Sequence, residues 1–287
     1  MKARLIAEHP SRLSVRRKCH LAELPHSSFY ASRNRPESKR ARLNRYLLVF
    51  IKEVYRQSEQ TYGSRRITAE LRGRDIRCSV NRVARLMRQD NLVAIQRRKY
   101  RTTTDSRHDY PVAPNLLQRD FQAERSNRVY VADISYIPTD EGWLYLAMEM
   151  DLYSHRVVGW AVSSRLDRQL VLDALEMAAG RRRPGPGLIH HSDRGVQYAC
   201  GEFQKLLRRY GMVPSMSRKG DPYDNAVAES FFKTLKVELV YRRRFRSRGE
   251  ARAEIVRYIE SFYNGWRRHS SLGYLSPAEY ERQACAA

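Results

Sequence analysis

Glu229, Lys233 and Lys236 are the first residues whose types and spacing suggest chemistry. They lie in the stretch Asp221 to Glu238, DPYDNAVAESFFKTLKVE. Its opening Asp, Pro, Asp and Asn cannot easily continue a helix but can cap one, and good helix formers follow. At 3.6 residues per turn the two lysines share the face of Glu229, while Phe231, Phe232, Leu235 and Leu239 spread over the other side. A carboxylate followed by two lysines on one stripe could hold a cation and then a polyanion. The same pattern also describes an ordinary surface helix with Glu and Lys four apart for solubility.

Two further carboxylates decide between these readings. Asp133 sits mid-strand in YVADISYI, among Val, Ala and Ile, where an unpaired charge is costly unless a metal or a partner holds it. Asp193, in HHSDRGVQY, lies just past a short buried strand, and ligand sites in open α/β sheets gather outside the carboxyl ends of such strands. The two reach neighbouring positions if the first and fourth strands pair, with the Glu229 helix lying across them. Carboxylate oxygens suit a hard cation such as magnesium, and a pair of such ions can activate an attacking oxygen and stabilise a leaving one in phosphoryl transfer. The other acids have simpler explanations: Asp140 and Glu141 as turn residues, Asp151 at an Asp-Leu-Tyr-Ser hairpin, Asp167 and Glu202 near helix starts, Asp221 and Asp224 in a loop. His190 and His191 are adjacent but lack zinc-site spacing, and Cys19, Cys78, Cys200 and Cys285 show no C-x-x-C pairing, so the cysteines read as reduced and structural.

The elements that must position these carboxylates form a second domain. YVADISYI, WLYLAMEMD (143–151) and HRVVGWAVS (155–163) alternate as strands separated by turns and predict an antiparallel meander. Asp167 is placed to cap a covering helix that stops at Gly180. LIHHSD predicts a buried strand, GEFQKLLRRYG a helix ending at Gly211, and VPSMS another strand. Such an order describes a mixed sheet covered by helices. After it, Ser247 and Glu250 form a capping box, and Ile255, Tyr258, Ile259, Phe262, Tyr263 and Trp266 follow helical spacing. Ser276, Pro277 and Glu279 signal a last short helix. Between the two, Arg267, Arg268 and His269 form a basic knot that either touches DNA or caps the long helix.

The 287 residues carry 54 Lys+Arg against 31 Asp+Glu, a formal net charge of +23. The excess is N-terminal: residues 1–110 hold 27 basic and 10 acidic residues. A field so concentrated points to a polyanion partner, most often nucleic acid. Within it, residues 39–57 form one amphipathic helix. Ser64 can cap SRRITAELR, Gly73 breaks it, and Ser79 can cap SVNRVARLMRQDN, whose apolar stripe is Val80, Val83, Ala84 and Met87. Helix, turn and helix is the layout of a DNA-reading helix-turn-helix, and Arg82, Arg85 and Arg88 then face a major groove; a plain helical hairpin with a solvated arginine face has the same pattern. Arg97, Arg98 and Lys99 open a polar segment whose cations could track a phosphate backbone. No apolar run approaches the roughly 18 residues that cross a bilayer, and the start lacks the apolar centre of a signal peptide, so a cytoplasmic, nucleoid-associated protein is expected.

VADISYI, HHSDRGVQY and DNAVAESFFKTLKVE, with thirty-five residues between Asp193 and Glu229, resemble the DDE transposases of bacterial insertion sequences. The resemblance is to the second-frame product of the IS-three family, related to retroviral integrases. YGSRRITAELR with VARLM is similar to that family's helix-turn-helix, APNLLQRDF to its inter-domain segment, DLYSHRVVGW to its second hairpin and YNGWRRHSSLGYLSPAEY to its C-terminal signature, together covering about residues 60–280. Tyr130 and Ser135 are small departures from the family pattern.

The resemblance implies an RNase H-like α/β catalytic core with a mixed five-stranded sheet, preceded by an all-α helix-turn-helix domain. It implies that Asp133, Asp193 and Glu229 bind two Mg2+ or Mn2+ ions, that water frees a 3′ hydroxyl at the element's end, and that this hydroxyl attacks another phosphodiester. Lys236 matches a basic residue that contacts terminal DNA, and Lys233 stands beside it. Expected partners are the terminal inverted repeats, target DNA, further copies of the chain and the upstream-frame protein, the last possibly joined by frameshifting. The expected divisions are 1–98 (helix-turn-helix about 62–92), a linker 99–125, the core 126–240 and C-terminal helices 241–287 packed on it. The alternatives are an RNase H-type nuclease, which would not need the basic N-terminal region, and a non-catalytic DNA-binding regulator with inert carboxylates.

Overall fold

A computed structural model of the chain describes residues 2–34, 36–95, 111–218 and 222–286. It resolves into two compact units, residues 1–53 and 54–287. The first contains α1 (Lys2–Glu8), α2 (Val15–Leu21), α3 (His26–Asn34) and most of α4 (Lys39–Gln57). Ser14 caps α2 by accepting from Arg17 N–H, and Ile6, Cys19 and Phe29 form a small apolar cluster.

The second unit starts with the helix pair. α5 (Ser64–Gly73) has Gly63, not Ser64, at its N-cap, and no side chain caps it. α6 (Val80–Gln89) is capped by Ser79, whose Oγ accepts from Arg82 N–H at 3.3 Å. Its buried stripe is Val83, Leu86 and Met87, one step round from the stripe expected with Val80. The pair is tied to the C-terminal segment. Tyr62 stacks on Trp266 at 4.9 Å and accepts from Arg268 N–H at 2.7 Å, while Arg268 pairs with Glu70 at 2.8 Å.

The strands β1 (Val129–Thr139), β2 (Gly142–Asp151) and β3 (Arg156–Ser163) form the expected antiparallel meander. β4 (Ile189–Ser192) and β5 (Val213–Met216) add in parallel, giving the order β3-β2-β1-β4-β5. Alternation along β1 and β2 divides two apolar layers. α7 (Arg168–Arg182), α8 (Val196–Ala199) and α9 (Gly201–Arg209) pack on one face through Leu170, Leu175, Phe203 and Leu207. α7 runs past Gly180 because Arg183, at φ 43°, takes the left-handed position that ends it. Its backbone lies so close to β3 that a Cβ on Gly159 would stand 2.2 Å from the Ala174 carbonyl.

The other face is covered by α10 (Ala226–Glu238) and α11 (Arg248–Val256), with α12 (Pro277–Ala286) following. Ser247 caps α11 at 3.1 Å as expected, but the apolar row beyond it is wound as a π-helix over Arg257–Tyr263. Spacing alone cannot show this, because the wider turn is held by tertiary contacts. Tyr258 donates to Glu238 at 2.7 Å, and Tyr263 lies edge-to-face on Phe231 at 4.8 Å.

Glu238, 8% exposed, is the junction of this layer. Arg267 grips it through two hydrogen bonds of 2.9 and 2.7 Å, and Arg66 of α5 approaches to 3.7 Å. Removing one member of a buried pair leaves the other charge uncompensated. Arg267→Met should therefore cost about 3–5 kcal/mol of unfolding free energy, part of it recovered by adding Glu238→Gln. Urea denaturation of the two variants checks this, and a single-variant loss within experimental error would refute the junction.

Candidate active site

Asp133 lies in the middle of β1, half-buried, and its Oδ1 accepts from the next backbone N–H, that of Ile134, at 2.8 Å. Asp193 follows the last residue of β4. The parallel register pairs Val131 with His191, so each aspartate stands two residues beyond a paired position on adjacent strands. Asp193 Oδ1 accepts from Gly195 N–H at 2.9 Å, and a Cβ on Gly195 would stand 2.9 Å from that oxygen, so the turn carries glycine.

Glu229 occupies the first turn of α10, half-buried, with Lys233 donating to its Oε2 at 2.9 Å. Burial first, then the charge of Asp193, pushes the Asp133 carboxyl well above the usual carboxylate range. The Ile134 N–H opposes the shift, Glu229 adds to it and Lys236 relieves it. The three acids and Lys236 therefore share one electrostatic field. Among the described residues no three of His, Cys, Asp and Glu are grouped as a ready metal cage. The Lys233 ammonium stands in the place of a cation on Glu229.

The helix carrying Glu229 is aimed by residues for which the sequence suggested only capping and turn roles. Asn225 donates from Nδ2 to the Ala132 carbonyl at 2.9 Å, one residue before Asp133, and thereby pins the start of α10 to β1. Its Oδ1 is buried without a protein partner. Asp224, assigned above to a loop, is fully buried. It accepts from Asn115 Nδ2 (2.9 Å), Arg218 N (2.8 Å) and Nε (3.1 Å), and Arg119 Nε (3.3 Å). The sequence signal was the Asp-Asn dipeptide directly before a helix, although Asn225, at the N-cap, makes no side-chain cap hydrogen bond and reaches β1 instead. Asp151 is also more than a hairpin residue. It is buried, accepts from Asn127 N–H and Tyr153 N–H, pairs with Arg182, and is pushed up to about 6 by burial.

The remaining expected residues are scattered. Arg82 and Arg85 are half-buried and Arg88 exposed on α6; Arg97, Arg98 and Lys99 fall outside the described residues. Arg267 and His269 are turned inward, 4% and 7% exposed, so the C-terminal basic knot presents neither at the surface. Burial and then Arg267 push His269 down to about 2, which leaves it neutral. His190 pairs with Glu149 at 2.9 Å in the interior, and His191 lies between Ser215 Oγ (2.8 Å) and Ser217 Oγ (3.2 Å), so both histidines are structural.

The chain matches the description "Integrase core domain" over residues 123–222 and again over 210–277, and "HTH-like domain" over residues 42–100. The transposase InsF of insertion sequence IS3A from Escherichia coli K12 is 40% identical over 288 aligned residues, with 100% of each chain covered. The chain belongs to the IS3 family of transposases. Another relative of this IS3-family transposase, a 31 kDa protein of insertion element IS600 from Shigella sonnei, is 43% identical over 92% of this chain and 97% of its own. Similar solved structures include a simian T-cell lymphotropic virus intasome, with 12% identity, TM-score 0.48 and coverage of 80% of this chain and 74% of its own. The HTLV-2 integrase catalytic core in complex with magnesium has 13% identity, TM-score 0.43 and coverage of 56% and 99%.

The buried Asp224 gives this IS3-family transposase a pH signature. The hydrogen bonds from Arg218 hold the Asp224 carboxyl well below its ordinary value, so its stabilisation is complete above the unfolded-state pKa and is lost as pH falls toward the folded one. Asp224→Asn should cost roughly 1–3 kcal/mol at neutral pH, and the gap from the parent should close below about pH 4. Paired urea titrations at neutral and acid pH check this; a gap that widens in acid would contradict it.

Proposed function

We propose that this IS3-family transposase cuts DNA at the ends of its own insertion sequence and joins the freed 3′ hydroxyls to new phosphodiesters. The observation that carries the reading is the side-by-side placement of Asp133 and Asp193 by β1 and β4, under a helix that carries Glu229. The raised Asp133 pKa marks a carboxylate that is buried and crowded by a second acid. That crowding and the all-oxygen donor set fit a hard divalent cation, Mg2+ or Mn2+, and Asp133, Asp193 and Glu229 are the residues that would hold a pair of such ions. Bound there, the ions would supply Lewis-acid charge at the scissile phosphate.

The chain's own residues then divide the remaining work. Lys233 must leave Glu229 before that carboxylate can act, and once released it faces the same approach as Lys236. Lys236, already in the field of Asp133, is placed to hold a phosphate of the terminal DNA. Arg82, Arg85 and Arg88 lie on the second helix of the pair, which would enter a major groove, and Arg97, Arg98 and Lys99 would follow the backbone toward the core. In this division residues 1–98 read DNA, 99–125 link, 126–240 carry the chemistry and 241–287 brace it. Further copies of the chain, and the upstream-frame protein of the element, would bring two ends together. No helix among the described residues is long and apolar enough to cross a membrane, which is consistent with action on host DNA in the cytoplasm.

Strand transfer is the deciding experiment. With magnesium and labelled oligonucleotides bearing the element's terminal inverted repeats, the parent chain should join ends to target DNA, and Glu229→Gln should reduce joining by roughly two orders of magnitude or more, as loss of one charge-stabilising group does. Equal joining by both proteins would sink the assignment. Specific binding without joining, even with the upstream-frame protein added, would favour the regulator reading.

A further inference from the structure

The tip of the β1–β2 hairpin carries three clustered aromatic rings, of which Tyr145 also packs against the core while Tyr136 and Trp143 are exposed. Tyr136 and Tyr145 are directly opposed across the strands, with ring centroids 5.2 Å apart at 72°, and Tyr136 also meets Trp143 edge-to-face at 6.2 Å. Trp143 is 53% exposed and Tyr136 39%. The apolar layer beneath is closed by Ile137, Leu144 and Leu146. An exposed cluster of large rings marks a contact surface, since burial would otherwise have covered it.

The tip is rigid. Thr139 donates to the Gly142 carbonyl at 2.6 Å, Asp140 N–H to the Phe245 carbonyl at 2.9 Å, and Arg248 Nε to the Trp143 carbonyl at 3.1 Å. Arg244 and Arg248 N–H complete the brace on Asp140 and Glu141 at 2.9 and 2.8 Å. Rings held in advance lose little freedom when a ligand settles on them. The bracing segment is also basic, with five arginines in Arg242 to Arg248, RRRFRSR.

Position supplies the third argument. Tyr136 lies three residues beyond Asp133 on β1, about 10 Å along the strand. Burial and Tyr145 raise its phenol first, and the charges of Asp193 and Asp133 raise it further, so the hydroxyl lies in the field of both carboxylates although its side chain leaves β1 on the face opposite that of Asp133. Aromatic faces beside arginines bind single strands without regard to sequence, because every base has a π-face and the cations follow the backbone.

We propose that Tyr136, Trp143 and Tyr145 form a stacking platform for unpaired nucleobases of the DNA strand that passes the acidic site, with Arg244, Arg246 and Arg248 holding its phosphates. This deepens the strand-transfer reading and rests on it for the identity of the strand.

The test measures binding of the full chain, without divalent metal, to fluorescein-labelled duplex ends that are either blunt or extended by a short oligothymidine overhang. Trp143→Ala should weaken overhang binding about tenfold while changing blunt-end binding less than about twofold, and Trp143→Phe should retain most of the affinity. Tyr136→Ala repeats the test should the tryptophan variant fold poorly. No loss, or an equal loss on both substrates, overturns the platform. Glu229→Gln should keep the overhang preference and lose joining. Overhang preference without joining by the parent chain would leave the platform standing and remove the catalytic reading, whereas joining without overhang preference removes the platform alone.

Discussion

The parallel pairing of β1 with β4 is the constraint on which the rest of the structure depends. It fixes the backbone of Asp133 beside that of Asp193, and no side-chain rotation can undo that neighbourhood. Two acids so placed repel each other in a half-buried setting, where water screens them poorly. The protein answers with the backbone N–H groups of Ile134 and Gly195 and with the approach of Lys236. Even so, burial and the neighbouring acid hold the Asp133 carboxyl well above the usual carboxylate range. A chain selected for stability alone would carry an amide at one of these positions, so keeping both acids argues for a function that uses their charge.

The same constraint explains why α10 is held so firmly. Its thirteen residues span roughly 20 Å, and a carboxylate on it can serve the β1–β4 pair only if the helix neither slides nor rolls. At its start Asn225 binds the Ala132 carbonyl and Asp224 gathers Arg218, Arg119 and Asn115. At its end Glu238 is locked by Arg267 and Tyr258. Between these anchors Ala228, Phe231, Phe232 and Leu235 are buried in the sheet's apolar layer. Glu229, Lys233 and Lys236 keep to the other stripe because every turn of the helix commits its remaining positions to packing.

Much of this was legible in the residues. Alternation placed all three antiparallel strands, and turn residues placed the helix that carries Glu229, because both signals are local and repeat along the chain. What stayed hidden shares one physical cause. Asp224 and Asp151 look like turn residues, yet each is buried against an arginine from a distant part of the chain, Arg119 for one, beside the nearby Arg218, and Arg182 for the other. Arg267 looks like a surface cation and proves to be the interior partner of Glu238, twenty-nine residues earlier. The π-helical stretch from Arg257 keeps an apolar spacing that a regular helix would share. Local patterns report which face a residue prefers; they do not report which distant charge will meet it.

Arg267 and its neighbours also bear on how DNA reading and chemistry would be joined. The α5–α6 pair does not stand apart from the core: Tyr62 stacks on Trp266, Arg268 spans Glu70 and Glu279, and Arg66 reaches the Glu238 that ends α10. The C-terminal segment is therefore a splint between α5, which packs against the helix proposed to read DNA, and the helix proposed to supply the third carboxylate. A grip on DNA by α6 would then fix the register of the duplex against the acidic pair through packed side chains and buried ion pairs. That rigidity suits a reaction whose outcome depends on which phosphodiester is presented, since a displacement of about 1 Å at the reacting centre is costly. It also accounts for the burial of Arg267 and His269 in an otherwise basic segment: these residues serve the splint.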